Sequence, residues 1–207
     1  MADFGGGGQL GSLKRQLRAG VGDCPFVVRE DVGERIDVRH FDGGRDASYV
    51  QVVLQDQEPD RPSKSTTIRF APHVAGTMLI YDATAQRMQG KARPFECEWE
   101  PQRWHMYAIL PVQIESIKAR LDRVEDKWRL EVEFLDAQRE TIQAALPYEA
   151  WLWQNGGGEL LHFGSTRRED GRISTVLRKF EPQPHQKCSV VSVLAGWGLT
   201  LDFPHRL

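Results

Sequence analysis

The sequence is short of the features that announce chemistry. No apolar run approaches the roughly 18 to 20 residues that a membrane-spanning helix needs. Only three cysteines (Cys24, Cys97 and Cys188) occur in 207 residues, far apart in the chain. That excludes a disulfide framework, and the odd count leaves at least one thiol free. The one asparagine, Asn155, is followed by Gly156 and Gly157, so no glycosylation sequon exists. A formal charge of −2 provides no field to steer nucleic acid or an acidic membrane toward the chain. No G-x-S-x-G marks a serine nucleophile, and the glycines at 5–8 precede no Gly-Lys-Ser/Thr. The opening MADFGGGGQLGSLKRQ lacks the basic-then-apolar order of a secretory signal and reads as a flexible lead-in. The compartment stays open.

What the sequence does contain is β-sheet patterning. Residues 1–24 form the lead-in, in which Leu10, Leu13 and Leu17 recur at helical spacing behind Ser12 and predict one short helix. From Phe26 onward the period is two. Ile36 and Val38 alternate with charges, 49–54 is apolar enough for a central strand, and 66–70 follows a proline-rich loop. The stretch from Met78 to Pro111 reads as three strands and two turns, a meander. Its first strand is apolar on both sides, which suits packing on two faces. The polar connection from Asp82 to Gly90 ends on a glycine able to supply positive φ.

Beyond Pro111 the alternation is cleaner. Trp128, Leu130, Val132 and Phe134 interleave with Arg129, Glu131 and Glu133. Further strands are predicted at 117–121, 149–153, 160–163, 173–177, 190–194 and 199–203, with turn chemistry at 155–158, 169–171 and around Pro182 and Pro184. About seven strands in each part, and none alternating with a long helical pattern, predict an all-β protein. Its two antiparallel β-sandwich domains span 25–112 and 113–207, the second immunoglobulin-like.

Tyr81-Asp82-Ala83-Thr84, Gly90, Pro101 and Tyr107-Ala108-Ile109-Leu110-Pro111, followed by a sandwich, resemble the C-terminal tail modules of large bacterial glycoside-hydrolase-like proteins. Two departures stand out. Gly156-Gly157-Gly158 occupies the place of that family's proline-glycine turn, and Cys188 falls near its late tryptophan. The resemblance implies a non-catalytic accessory module that assembles with a glycoside-hydrolase-like protein or domain.

Each candidate for chemistry meets a plainer account. Glycoside hydrolysis needs two facing carboxylates, but Glu96, Glu98 and Glu100, like Glu131 and Glu133, alternate with apolar residues. They are expected to point to water, where a general acid's pKa is not raised. Cys97 and His105 are expected on neighbouring strands, yet His73, His162, His185 and His205 show no paired spacing, so no metal is expected. Cys188 lacks an evident basic activator. Trp151 and Trp153 share one strand face, with Asn155 opening the glycine-rich turn beside them. The two indoles are either core or an exposed platform for sugar rings or a protein, and a slip of one residue reverses the answer. Trp99, Trp104, Trp128 and Trp197 are expected in the core or at the junction of the two domains.

The expectation is therefore an accessory interaction module, not an enzyme, without cofactor, binding a protein and touching neither nucleic acid nor membrane. The alternatives are a stand-alone carbohydrate-binding module using Trp151, Trp153 and Asn155, or an enzyme whose site lies between the domains around His105 and the Cys97 strand.

Overall fold

A computed structural model of the chain describes residues 26–28, 36–54, 64–70, 74–99, 104–154, 157–177, 182–183 and 185–203. The expected N-terminal helix and Asn155 lie outside them, as do Cys24 and the side chains of Cys97 and Trp99. The described residues are all-β. Before Pro111 the strands are β1 (Phe26–Val28), β2 (Ile36–Asp42), β3 (Ser48–Leu54), β4 (Lys64–Phe70), β5 (Leu79–Asp82), β6 (Arg87–Lys91), β7 (Phe95–Trp99) and β8 (Trp104–Leu110). After it come β9 (Ser116–Val124), β10 (Lys127–Leu135), β11 (Pro147–Gln154), β12 (Gly157–Ser165), β13 (Arg172–Val176), β14 (Lys187–Ser192) and β15 (Gly198–Asp202). Every pairing is antiparallel.

The first part holds a five-stranded sheet in the order β2-β3-β8-β5-β6, with β1, β4 and β7 pairing separately as β1-β4-β7. The stretch from Met78 to Pro111 is therefore not a meander. β5 and β6 form a hairpin inside what reads as a polar connection, β7 leaves to pair with β4, and β8 inserts between β3 and β5. Rings explain the departure of β7, because Phe95 lies 6.0 Å from Phe70 and 5.4 Å from Tyr107. Burying that aromatic between sheets outweighs pairing with the nearest strand in sequence. Gly90, at φ 106°, faces Ile80 where the hairpin bulges, a backbone state that glycine adopts at little steric cost.

The doubly apolar first strand of the stretch is packed on both faces, as its pattern predicts. Ile80 joins Val50, Val52, Tyr107 and Ile109 in a smaller core. Tyr81 turns the other way, into a larger core that holds Ala108 and Leu110 together with Trp128, Leu130, Val132, Phe134, Tyr148, Ala150 and Val190. That larger core crosses Pro111, and hydrogen bonds cross with it. The Tyr49 hydroxyl donates to the Ala145 carbonyl at 2.7 Å, and the Ile114 N–H donates to the Tyr81 hydroxyl oxygen at 2.9 Å. Gly44 fits here for want of a side chain, since a Cβ would sit 2.5 Å from the Arg168 carbonyl oxygen.

After Pro111 two sheets share the larger core, one ordered β13-β10-β9 and the other β12-β11-β14-β15. In β10 burial alternates without a break from Trp128 to Phe134, as the sequence leads one to expect. The Trp128 ring meets Phe203 edge-on at 5.0 Å. Two other tryptophans are not core, for Trp104 is 49% and Trp197 38% exposed, although the turn before Trp197 meets the first part, where a Cβ on Gly196 would sit 2.4 Å from the Gln86 carbonyl oxygen. Trp104 begins its strand and Trp197 closes a turn, positions where an indole reaches the surface before the sheets cover it.

Candidate functional site

Strand β11 carries the candidate residues. Tyr148, Ala150 and Leu152 point into the core, so by the two-residue period Glu149, Trp151 and Trp153 lie on the outer face of the four-stranded sheet. The register is fixed from inside: Tyr148, Ala150 and Leu152 face Ser192, Val190 and Cys188 of β14, all of them buried. Trp151 is half-buried and Trp153 is 45% exposed. Their ring centres are 6.4 Å apart and the planes meet at 36°, which makes a bent platform rather than a flat one. The indole N–H of Trp151 donates to a carboxylate oxygen of Glu149 at 2.9 Å, which fixes that ring. Trp153 lies across Gly158 of β12, where an added Cβ would come 3.3 Å from three of its ring atoms. The missing side chain is what lets this indole lie against the strand.

Two further residues belong to this surface. Leu160 faces Trp151 and Phe163 faces Glu149, with exposures of 43% and 60%. Three positions apart, they cannot share a face of a regular strand. A bulge at this point of the β11–β12 pairing shifts the register by one residue, placing Leu161 in the core and Phe163 outside. Glycine density around 155–158 and Gly164 was the available signal that this strand is irregular. Polar groups edge the platform: Lys187, opposite Trp153, pairs with Asp202 at 3.2 Å, and Ser189, opposite Trp151, shares a 2.9 Å hydrogen bond with Thr200.

The other candidates fare differently. Glu131 and Glu133 do share the outer face of β10, but Glu133 does not simply point to water, since only 13% of its side chain is exposed. Lys118 Nζ lies 2.5 Å and Arg172 Nε 3.1 Å from its carboxylate oxygens, and the Thr141 hydroxyl donates to it at 2.9 Å. Partial burial pushes this carboxyl up, but the hydrogen bonds from Lys118 and Thr141 and the charges of Lys118 and Arg172 outweigh it. They hold it below the usual range, the reverse of what a general acid requires. Cys188 is fully buried, and burial pushes its thiol up to about 11, which leaves it a poor nucleophile. His105 and the Cys97 strand are not paired in one sheet: β8 pairs with β3 and β5, and β7 with β4. Among the described residues no three His, Cys, Asp or Glu side chains gather as a metal site, and no helix is long and apolar enough to cross a membrane.

No protein-family model matches the chain, and no curated protein matches it in sequence.

Proposed function

We propose that this chain is a non-catalytic accessory module whose four-stranded sheet docks a protein partner through its outer face. The observation that carries this reading is the exposure of Trp153, Leu160 and Phe163 beside the half-buried Trp151. Large apolar side chains gathered on one sheet face, with polar residues at the margin, are the composition of an interface core and rim. Tryptophan is also among the residues on which binding energy concentrates. Seven strands in the orders β13-β10-β9 and β12-β11-β14-β15 around one core support the immunoglobulin-like reading of 113–207. The two sheets around the smaller core support a sandwich in 25–112. Together with the likeness to the tail modules of bacterial glycoside-hydrolase-like proteins, this makes such a protein the expected partner.

The test is direct titration of the purified chain with glycoside-hydrolase-like proteins encoded in the same genome, read by calorimetry. Saturable binding that weakens at least about tenfold in Trp153→Ala, a loss of about 1.4 kcal/mol, supports the reading. Absence of binding to any of them, or binding indifferent to Trp153 and Phe163, removes it.

A second reading, a carbohydrate-binding module, is favoured by one observation. Two indoles 6.4 Å apart on one face, with Lys187, Asp202 and the Ser189–Thr200 pair alongside, combine stacking surface with hydrogen-bonding groups. A glycan that shifts tryptophan emission in the wild type but not in Trp151→Ala would establish it. A flat response across neutral polysaccharides would dismiss it.

A further inference from the structure

The outer face of the three-stranded sheet holds a basin of about 430 Å³. Its floor is the middle strand β10, which presents Glu131 and Glu133, with Ser174 of β13 beside Glu131 in register. Cations stand on both sides: Lys118 and Arg120 on β9, and Arg172 on β13 with Arg167 just before it. Four cations thus line the basin, with Glu131 and Glu133 on its floor and Asp122 and Asp170 at its rim.

The four are not equally committed. Lys118 and Arg172 converge on Glu133 and are held there from opposite sides. Arg120 pairs with Asp122 at the rim and is 72% exposed; Arg167, 61% exposed, is held by two contacts to Asp170 and one to the Arg172 carbonyl oxygen. Exposed single pairs contribute little in water, so an incoming carboxylate can compete for the Arg120 guanidinium at small cost, and less readily for the doubly held Arg167. Such a carboxylate would gain charge-assisted, two-pronged hydrogen bonds.

We propose that this basin binds an acidic saccharide, a chain of hydroxylated rings carrying carboxylates. The floor decides between anions. A compact anion such as phosphate would meet the Glu131 carboxylate and be repelled. A saccharide donates hydroxyls to that same carboxylate and to Ser174 while its own carboxylates reach the rim arginines. An acidic peptide offers the charges but lacks the hydroxyls. The site is on the opposite sheet from the tryptophan platform and acts independently of it.

The experiment is calorimetric titration of the chain alone, with no partner protein, so its outcome leaves the docking reading untouched. The probes are oligogalacturonate and oligoalginate, with methyl-esterified oligogalacturonate and oligoglutamate as contrasts. Binding of an acidic saccharide is expected, lost on esterification, weakened by added salt, and reduced at least about tenfold in Arg120→Gln/Arg167→Gln. Thermal melting verifies that this variant is folded; should it melt early, Arg120→Gln alone carries the comparison, with a smaller loss expected. No heat from either acidic saccharide overturns the proposal. So does equal binding of the ester or of oligoglutamate, or full affinity in a folded variant.

Discussion

Strands β10 and β11 turn nearly identical inner faces to one core and very different outer faces to water. Inward, Trp128, Leu130, Val132 and Phe134 meet Tyr148, Ala150 and Leu152 in a single cluster. Outward, β10 presents Arg129, Glu131 and Glu133 between the charges of β9 and β13, while β11 presents Glu149, Trp151 and Trp153. The inner faces are constrained alike because both must exclude water and fill volume. The outer faces are free of that constraint, so their difference reports what each surface meets. The charged face of β10 is ordinary for a solvated sheet in all but its concavity. The indoles of β11 leave apolar surface in water, the surface that the proposed docking partner would cover.

The contrast is sharpest where the inner faces are broken. Leu130→Ala, at a fully buried position, is expected to cost about 2–5 kcal/mol in chemical denaturation, as deletion of a packed core side chain does. A loss below about 1 kcal/mol would mean that the two sheets do not share this core in solution.

On the charged face, Glu133→Gln is expected to cost about 1 kcal/mol or less at neutral pH, because Lys118 and Arg172 are themselves well exposed. The pH dependence is more telling. A carboxyl held low in the folded chain binds fewer protons there than in the unfolded chain. Its stabilisation is thus complete above the unfolded value of about 4.3 and disappears as pH falls through the lower folded value. Denaturation of wild type and Glu133→Gln at a series of pH values should show the two curves converging in acid. Parallel curves would contradict the ion-pair account.

On the aromatic face the effect on stability is expected to be smallest. Trp153→Ala should change the unfolding free energy by no more than a surface change does, about 0.5 kcal/mol, while weakening the proposed partner binding at least about tenfold. If this substitution destabilises the chain as much as Leu130→Ala, the indole is structural and the contrast between the two outer faces is lost. Alkylation of Cys188 offers a check from the inside: modification should be slow until denaturant is added, in keeping with a fully buried thiol raised to about 11.

Much of the β-structure was legible because strand identity is written in neighbouring residues. The alternation of β10 and the doubly apolar run of β5 gave both the element and its exposure. The pairing was not legible. β7 lies between β6 and β8 in the chain yet joins β4, because the Phe95 ring finds Phe70 and Tyr107 across the fold. Glu133 reads as a wet carboxylate until Arg172, 39 residues away, is brought beside it. Trp151 and Trp153 could be placed on one face, but which face was undecided, since β11 is apolar on both sides.

The amino-acid order alone determined where most of the short strands lie and which residues share a side of each, since side chains alternate by the geometry of an extended backbone. Tertiary structure alone decided the rest: that Ala150 and Leu152 face the core and the two indoles face water, and that a one-residue bulge brings Phe163 out beside them. The reason is physical. Burial is a property of what lies across from a residue, and for these strands the opposing surfaces are supplied from distant parts of the sequence.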